Sequence, residues 1–259
     1  MRPMTADPPP PTSDTPGMHE AARREKLRRI RELGHDPWGG RFDGHEAISV
    51  LRARAGEVRY RTQQGQLVAL PDASVLENPE KPFDFRAWIA EQGAGEMVGP
   101  KVRAAGRIVL ARDTGKLKFI DIRDWTGRIQ LFVGKAQVGP ENWELAGCFD
   151  LGDLVGVDGE LRRTKLGELT IFAEKLHFLT KAIEPPPDKY HGLGDAELRQ
   201  RRRYVDLAYN EGVLPRFLKR TKIVQSIRRT LASEGFVEIE GPTLHSIAGG
   251  AAAKPFITR

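Results

Sequence analysis

Apolar and polar residues alternate with a period of two in five runs between residues 101 and 183: VRAAGRIVLAR, KLKFIDIRD, GRIQLFVG, LVGVDGELRR and ELTIFAEKLHFL. That period marks half-buried strands. Turn chemistry falls between runs at Asp113-Thr114-Gly115, at Trp125-Thr126-Gly127 and at Leu166-Gly167. A short helix is predicted over residues 141–149, between the third and fourth runs. Five strands with a helix between the third and fourth is the plan of an OB-fold barrel, whose open face takes single-stranded nucleic acid or oligosaccharide.

The alternation also assigns faces. Ile120 and Ile122 point one way with Ile129, Leu131, Val133, Leu169 and Ile171, and these are the expected barrel core. Phe119, Asp121, Arg123, Arg128, Gln130, Phe132, Glu168 and Thr170 fall on the opposite face, expected to meet solvent. Aromatics among polar groups suit base stacking. Arginine adds attraction for phosphate, and Gln and Glu can read a base edge. The competing reading puts Phe119 and Phe132 under a neighbouring loop as satellite core.

The flanks carry other periods. Residues 1–17, with Pro8 to Pro11 in a row, are expected to be a disordered tail. From residue 18 a helix is predicted, with Leu27, Ile30 and Leu33 on one side and Gly34 and Pro37 ending it. Arg24, Arg28 and Arg31 share a flank of this helix. Such a stripe suits either a phosphate backbone or plain solvation. Residues 43–54 predict a second short helix. Residues 60–100 mix strand-like GQLVAL with helix-like FRAWIAEQ and read as an insert against the barrel. Pro185 to Pro187 make a stiff linker. A helix over 195–208 carries Arg199, Arg201, Arg202 and Arg203, for RNA or for acidic neighbours. A longer helix over 213–233 and a short FVEIE strand follow.

Charge and composition narrow the class. The 41 Lys and Arg against 35 Asp and Glu give a formal charge of +6, which leans weakly towards anionic partners. Cys148 is the only cysteine, which excludes an intramolecular disulfide and a cysteine-built zinc site. A reducing, cytoplasmic setting fits. No apolar run has the length of a membrane span.

The order of basic helix, barrel, proline linker, DKYHGLGDAELRQRRRYVDL, GFVEIEGPTL and AGGAAAKPFIT resembles the N-terminal portion of a bacterial-type lysyl-tRNA synthetase, a class II enzyme. The likeness is loose over 18–60 and close over 100–259. It does not extend to the insert. The implied fold is mainly β plus α: an N-terminal helix, a five-stranded OB-fold barrel, then the beginning of a class II α/β catalytic domain. The implied division is a tail at 1–17, helices and insert at 18–99, an anticodon-binding domain at 100–183, linker and hinge helix at 184–210, and the start of the catalytic domain at 211–259.

The resemblance implies that Phe119 stacks on the middle anticodon base and that Gln130, Glu168 and Arg112 hold it. Arg24, Arg28, Arg31, Arg128 and Phe132 are candidates for a wider RNA face. Motif 1 of the class builds a homodimer interface, here Ile227, Leu231, Phe236 and Pro242. Gly249 and Gly250 would border the amino-acid pocket, or serve as turn glycines. The partner implied is the anticodon stem-loop of tRNA-Lys. ATP and magnesium serve the full-length enzyme. The sequence ends before motifs 2 and 3, so no catalytic or metal residue is expected, no tight cofactor, and no aminoacylation by this chain alone. A free-standing RNA-binding module and an aspartyl- or asparaginyl-tRNA synthetase fragment are the alternatives.

Overall fold

In the computed structural model, residues 16–76, 83–187 and 192–241 are described. The chain forms two compact units, one reaching Pro186 and one from Pro187 onward. In the first unit α1 (Pro16–Glu32) leads to α2 (Ile48–Ala53), which runs on as a 3-10 turn over Arg54–Glu57. Next come β1 (Arg59–Thr62), β2 (Leu67–Ala69), α3 (Ala73–Leu76), α4 (Phe85–Gln92) and β3 (Gly95–Val98). The alternating runs become β4 (Lys101–Asp113), β5 (Leu117–Arg123), β6 (Arg128–Gly134), then α5 (Lys135–Gly147), β7 (Leu154–Arg163) and β8 (Leu169–Thr180).

The last five strands close into a barrel in the order β4-β5-β6-β8-β7. Four of the pairings are antiparallel, and β6 with β8 is parallel. Closure leaves the backbone groups of no barrel strand at an open edge. Ile120, Ile122, Ile129, Leu131, Val133, Leu169 and Ile171 are all buried inside it, joined by Ile108, Val155, Val157 and Leu161. The alternation therefore gave both the strands and their inner faces. The helix between β6 and β7 starts earlier than residue 141 and ends before residue 149. It bends where Gly139 takes φ 76° ahead of Pro140, because proline has no N–H and its ring crowds the preceding turn.

Two polar devices fasten helices to the barrel. Ala47 precedes α2 and has no side-chain oxygen to cap it. The turn between β5 and β6 does so instead: Ile48 N donates to Asp124 Oδ2 (2.9 Å) and Ser49 N to Thr126 Oγ1 (3.0 Å). Asp124 Oδ1 also accepts from Thr126 N and Gly127 N. Thus α2 begins at Ile48 rather than residue 43, because that is where the barrel supplies acceptors. The second device is Lys181, wholly buried, whose Nζ donates to Cys148 O (3.0 Å), Asp150 Oδ2 (2.6 Å) and Asp153 Oδ2 (2.8 Å). Asp150 also receives Lys26 of α1 (2.6 Å), and Arg23 of α1 donates to Leu151 O and Ala182 O. One flank of α1 is thereby spent on docking, with Ile30 buried beside it. Helix α1 starts at Pro16, inside the span expected to be a tail; residues 1–15 lie outside the described residues.

The insert is an ordered element. Its strands pair in the order β2-β1-β3, and α4 spans FRAWIAEQ with Asp84 as its N-cap, accepting from Ala87 N at 3.0 Å. Val58, Tyr60, Phe85 and Met97 are buried in the same hydrophobic cluster as the barrel core.

In the second unit the span 195–208 is not one helix. It is α6 (Ala196–Arg201) and α7 (Arg203–Tyr209), broken at Arg202. The break lets buried Asp206 accept from Arg199 Nε (2.7 Å) and pair with Arg203, while Asn210 Nδ2 adds a third bond (2.9 Å). Arg201 pairs with Glu197. These arginines have acidic neighbours, the structural alternative of the sequence reading. The third helix, α8, covers Val213–Ser233 as expected. FVEIE is a correction: residues 236–240 are not a strand. No strand lies beside it among the described residues of this unit, so its N–H and C=O groups have no ladder to join.

Two substitutions test these anchors. Lys181→Met leaves buried Asp153 without its cation, while Asp150 keeps Lys26, and should cost about 3–5 kcal/mol, read as a lower midpoint in urea. Burial alone would raise the Asp124 carboxyl, but its bonds from Ile48, Thr126 and Gly127 outweigh that and hold it below its ordinary value. A depressed folded value contributes stability above the unfolded value of about pH 4, lost as pH falls through the folded value. Asp124→Ala should therefore cost about 1–3 kcal/mol at neutral pH and lose part of the acid-side dependence of stability. A variant with an unchanged acid limb would refute the capping account.

Candidate nucleic-acid interface

The outer face of the barrel is ordered by register. Arg112 of β4 sits opposite Phe119 of β5, Phe119 opposite Phe132 of β6, and Phe132 opposite Phe172 of β8. The rings follow that row. Phe119 and Phe132 meet edge to face with centroids 5.5 Å apart, and Phe132 stacks on Phe172 at 4.6 Å. Arginines close both ends: the Arg112 guanidinium lies 5.8 Å from the Phe119 ring centre, and that of Arg162 lies 5.4 Å from Phe172. Such cation–ring contacts favour charge near an aromatic face.

A polar row runs beside the rings, pairing Asp121 with Gln130 and Gln130 with Thr170. Thr170 Oγ1 donates to Gln130 Oε1 (3.2 Å), and Gln130 Nε2 donates to Glu168 Oε2 (3.1 Å). The expectation that this face is open to solvent needs correction here. Asp121, Gln130 and Thr170 are buried, at 3%, 4% and 0% exposure. They face one another across the ladders, and Arg128 pairs with Asp121 from outside. Phe119, Phe132 and Glu168 keep part of their surface in solvent.

Glu168 stands at the end of the tight β7–β8 turn. Thr164 Oγ1 accepts from Leu166 N and Glu168 N, and Arg163 donates to Gly167 O at 2.7 Å. Gly167 has φ 87°, where a side chain would be strained, and a Cβ there would stand 3.3 Å from the Phe85 ring. The turn carrying Glu168 is thus fixed partly by the insert.

Arg112, Phe119, Gln130, Phe132 and Glu168 all line one open cavity of 820 Å³. Arg128 does not line it. Arg24 and Arg28 lie on the exposed flank of α1 and pair with Glu20 and Glu25 of the same helix; Arg31 is exposed on it too. The solvated reading of that stripe fits these pairings. Phe172, Arg162 and Arg86 also line the cavity and are not among the residues expected from the sequence. The alternation that puts Thr170 outside puts Phe172 outside as well, so that signal was present. Arg86 had none, since its position depends on how the insert docks.

Other candidate residues fall elsewhere. Ile227, Leu231 and Phe236 are exposed in the second unit. Pro242, Gly249 and Gly250 lie outside the described residues. No group of three or more metal-ligating side chains occurs among the described residues. No described helix is long and apolar enough to cross a membrane.

Comparison with known proteins adds the lineage. The family model for an OB-fold nucleic acid binding domain matches residues 102–179, and that for class II tRNA synthetases (D, K and N) matches residues 195–259. The chain is similar to lysine–tRNA ligases: 40% identical to that of Bacillus subtilis over 238 residues, 91% of this chain and 41% of the relative. Against that of Pelotomaculum thermopropionicum it is 40% identical over 91% of this chain and 39% of the relative. Against that of Staphylococcus aureus the figures are 39%, 91% and 42%. The chain thus spans about two fifths of the length of these relatives. By both segments and by these likenesses, the chain joins an OB-fold nucleic acid binding segment to a class II tRNA synthetase segment and is similar to the lysine–tRNA ligases.

Proposed function

We propose that this chain supplies the tRNA-binding part of a lysine–tRNA ligase, which attaches lysine to tRNA-Lys in translation with ATP and magnesium. The observation that carries this reading is the meeting of Arg112, Phe119, Gln130 and Glu168 in one cavity. A uracil presents two carbonyl acceptors and one N–H donor. Seated against Phe119, it can take the second amide N–H of Gln130 on a carbonyl and give its own N–H to the Glu168 carboxylate. Arg112 adds positive charge at the rim. This is the chemistry expected for a uridine-rich anticodon in a single-stranded loop.

The rest of the reading follows the family. Residues 100–183 act as the anticodon-binding domain, 184–210 as linker and hinge, and 211–259 as part of the catalytic domain; the unit boundary at Pro186 and Pro187 supports the division. Ile223, Ile227 and Leu231 expose an apolar stripe along α8, and Phe236, Val237 and Ile239 continue it. A second copy of the chain is the partner such a stripe suits in this family, giving a homodimer. Buried, unpaired Cys148 fits the reducing cytoplasm.

Phe119→Ala should weaken binding of a lysine-type anticodon stem-loop by about 1–3 kcal/mol, roughly tenfold or more by fluorescence anisotropy. In the same assay Gln130→Leu should lose preference for a UUU loop over a UCU loop. Unchanged affinity in the first variant removes the stacking role, and unchanged preference in the second removes the base-reading role.

A further inference from the structure

Residues 60–100, read from the sequence as an insert against the barrel, contribute to the lining of the cavity. Tyr60, Arg86, Ile89, Glu96 and Met97 line it together with Arg112 and Phe119 of the barrel. Two contacts tie the insert to the site itself. Phe85 of α4 packs on the Gly167 turn that carries Glu168. Glu96 of β3 approaches Arg162 to 3.7 Å, and Arg162 lies over Phe172 at the end of the ring row.

The charges of the insert are unevenly employed. Glu96 pairs with Arg61, which holds its carboxyl below the ordinary range, and with Arg162. It is therefore already balanced by two cations. Arg86 is exposed on the first turn of α4, lines the cavity, and has no hydrogen-bond or ion-pair partner among the described residues. Arg112, Arg162 and Lys165 also line the cavity, against Glu96 and Glu168. The balance favours an anion. The size matters too: at 820 Å³ the cavity lies near the top of the range of about 300–1,000 Å³ for sites that enclose a whole drug-sized ligand. A single flat base does not fill it.

We propose that the insert adds a second nucleotide station: Arg86 holds the phosphate of a nucleotide flanking the one stacked on Phe119, with Ile89 against its sugar. The inference rests on the nucleic-acid reading of this cavity and extends it to the insert. Its consequence is that the chain grips the anticodon loop across a longer stretch than the base-reading residues alone provide. The contact is to backbone, so it adds affinity and register rather than base identity.

The test is a titration of the whole chain with a fluorescent RNA hairpin carrying UUU in a seven-nucleotide loop, across a range of salt. Arg86→Ala should bind about tenfold more weakly, and its log–log salt slope should be shallower by about 0.7, the share of one phosphate on a single strand. Arg86→Lys should keep the slope, and the thermal midpoint of both variants should match the parent, since Arg86 supports no packing. Should Arg86→Ala equal the parent in affinity and slope while Phe119→Ala loses binding, the second station is overturned and the anticodon reading stands. Should Phe119→Ala also bind like the parent, the anticodon reading falls and the second station with it.

Discussion

The parallel pairing of β6 with β8 is the constraint on which the rest of the first unit depends. It matches Gln130 with Thr170, Leu131 with Ile171, and Phe132 with Phe172. The middle pair closes the core, and the outer two bring β8 to the face that β5 and β6 already share. Side chains alternate with a period of two, so a slip of one residue would turn Ile171 outward and Phe172 into the core. Burial of Leu131 and Ile171, both at 0% exposure, fixes the register. The ring row and the Thr170–Gln130–Glu168 chain of hydrogen bonds follow from that burial without further cost.

Much of this was legible in the sequence, for a physical reason. The strands of a small barrel have one wet and one dry side, so their alternation is strong, and all five runs folded as strands. Phe119, Gln130 and Glu168 could be put on one surface because each lies an even number of steps from its strand neighbours. What the period cannot carry is depth. Gln130 and Thr170 stand on the outer side and are still buried, because they are bonded to each other and flanked by polar neighbours across the ladders. Helix limits went the same way: α2 starts where Asp124 and Thr126 offer acceptors, and α6 stops where Asp206 gathers its arginines. FVEIE has strand composition but no neighbour to pair with among the described residues.

The basic charge of the chain is a poor guide to where RNA would bind. Arg23 and Lys26 are spent on docking α1 to the barrel, Arg24 and Arg28 on neighbours along their own helix, and Arg199 and Arg203 on Asp206. Pairs as exposed as those of Arg24 and Arg28 contribute little to stability, roughly 0–1 kcal/mol, but they do dilute the local field. Arg112 differs from these because it rests near the Phe119 ring, whereas Arg162 lies over Phe172 and also pairs with Glu160 and Glu96. An arginine held on a ring keeps its N–H groups available to an incoming acceptor. The cavity is distinguished by how its cations are held, more than by how many there are.

Selectivity on the proposed reading comes from an amide that is already tied down. Thr170 donates to the carbonyl oxygen of Gln130, and Glu168 accepts from its nitrogen, so both ends of the amide are fixed before any base arrives. Gln130 therefore presents a donor towards the cavity and cannot exchange it for an acceptor without breaking both bonds. A uracil meets that donor with a carbonyl and meets the carboxylate with an N–H. A cytosine offers an amino group and a bare ring nitrogen at the same two places, setting donor against donor and acceptor against acceptor. Each mismatch leaves a largely desolvated polar group unpaired, at about 1–3 kcal/mol. A freely rotating glutamine on an open sheet would flip and lose that discrimination, so on the proposed reading the burial of Gln130 serves selectivity.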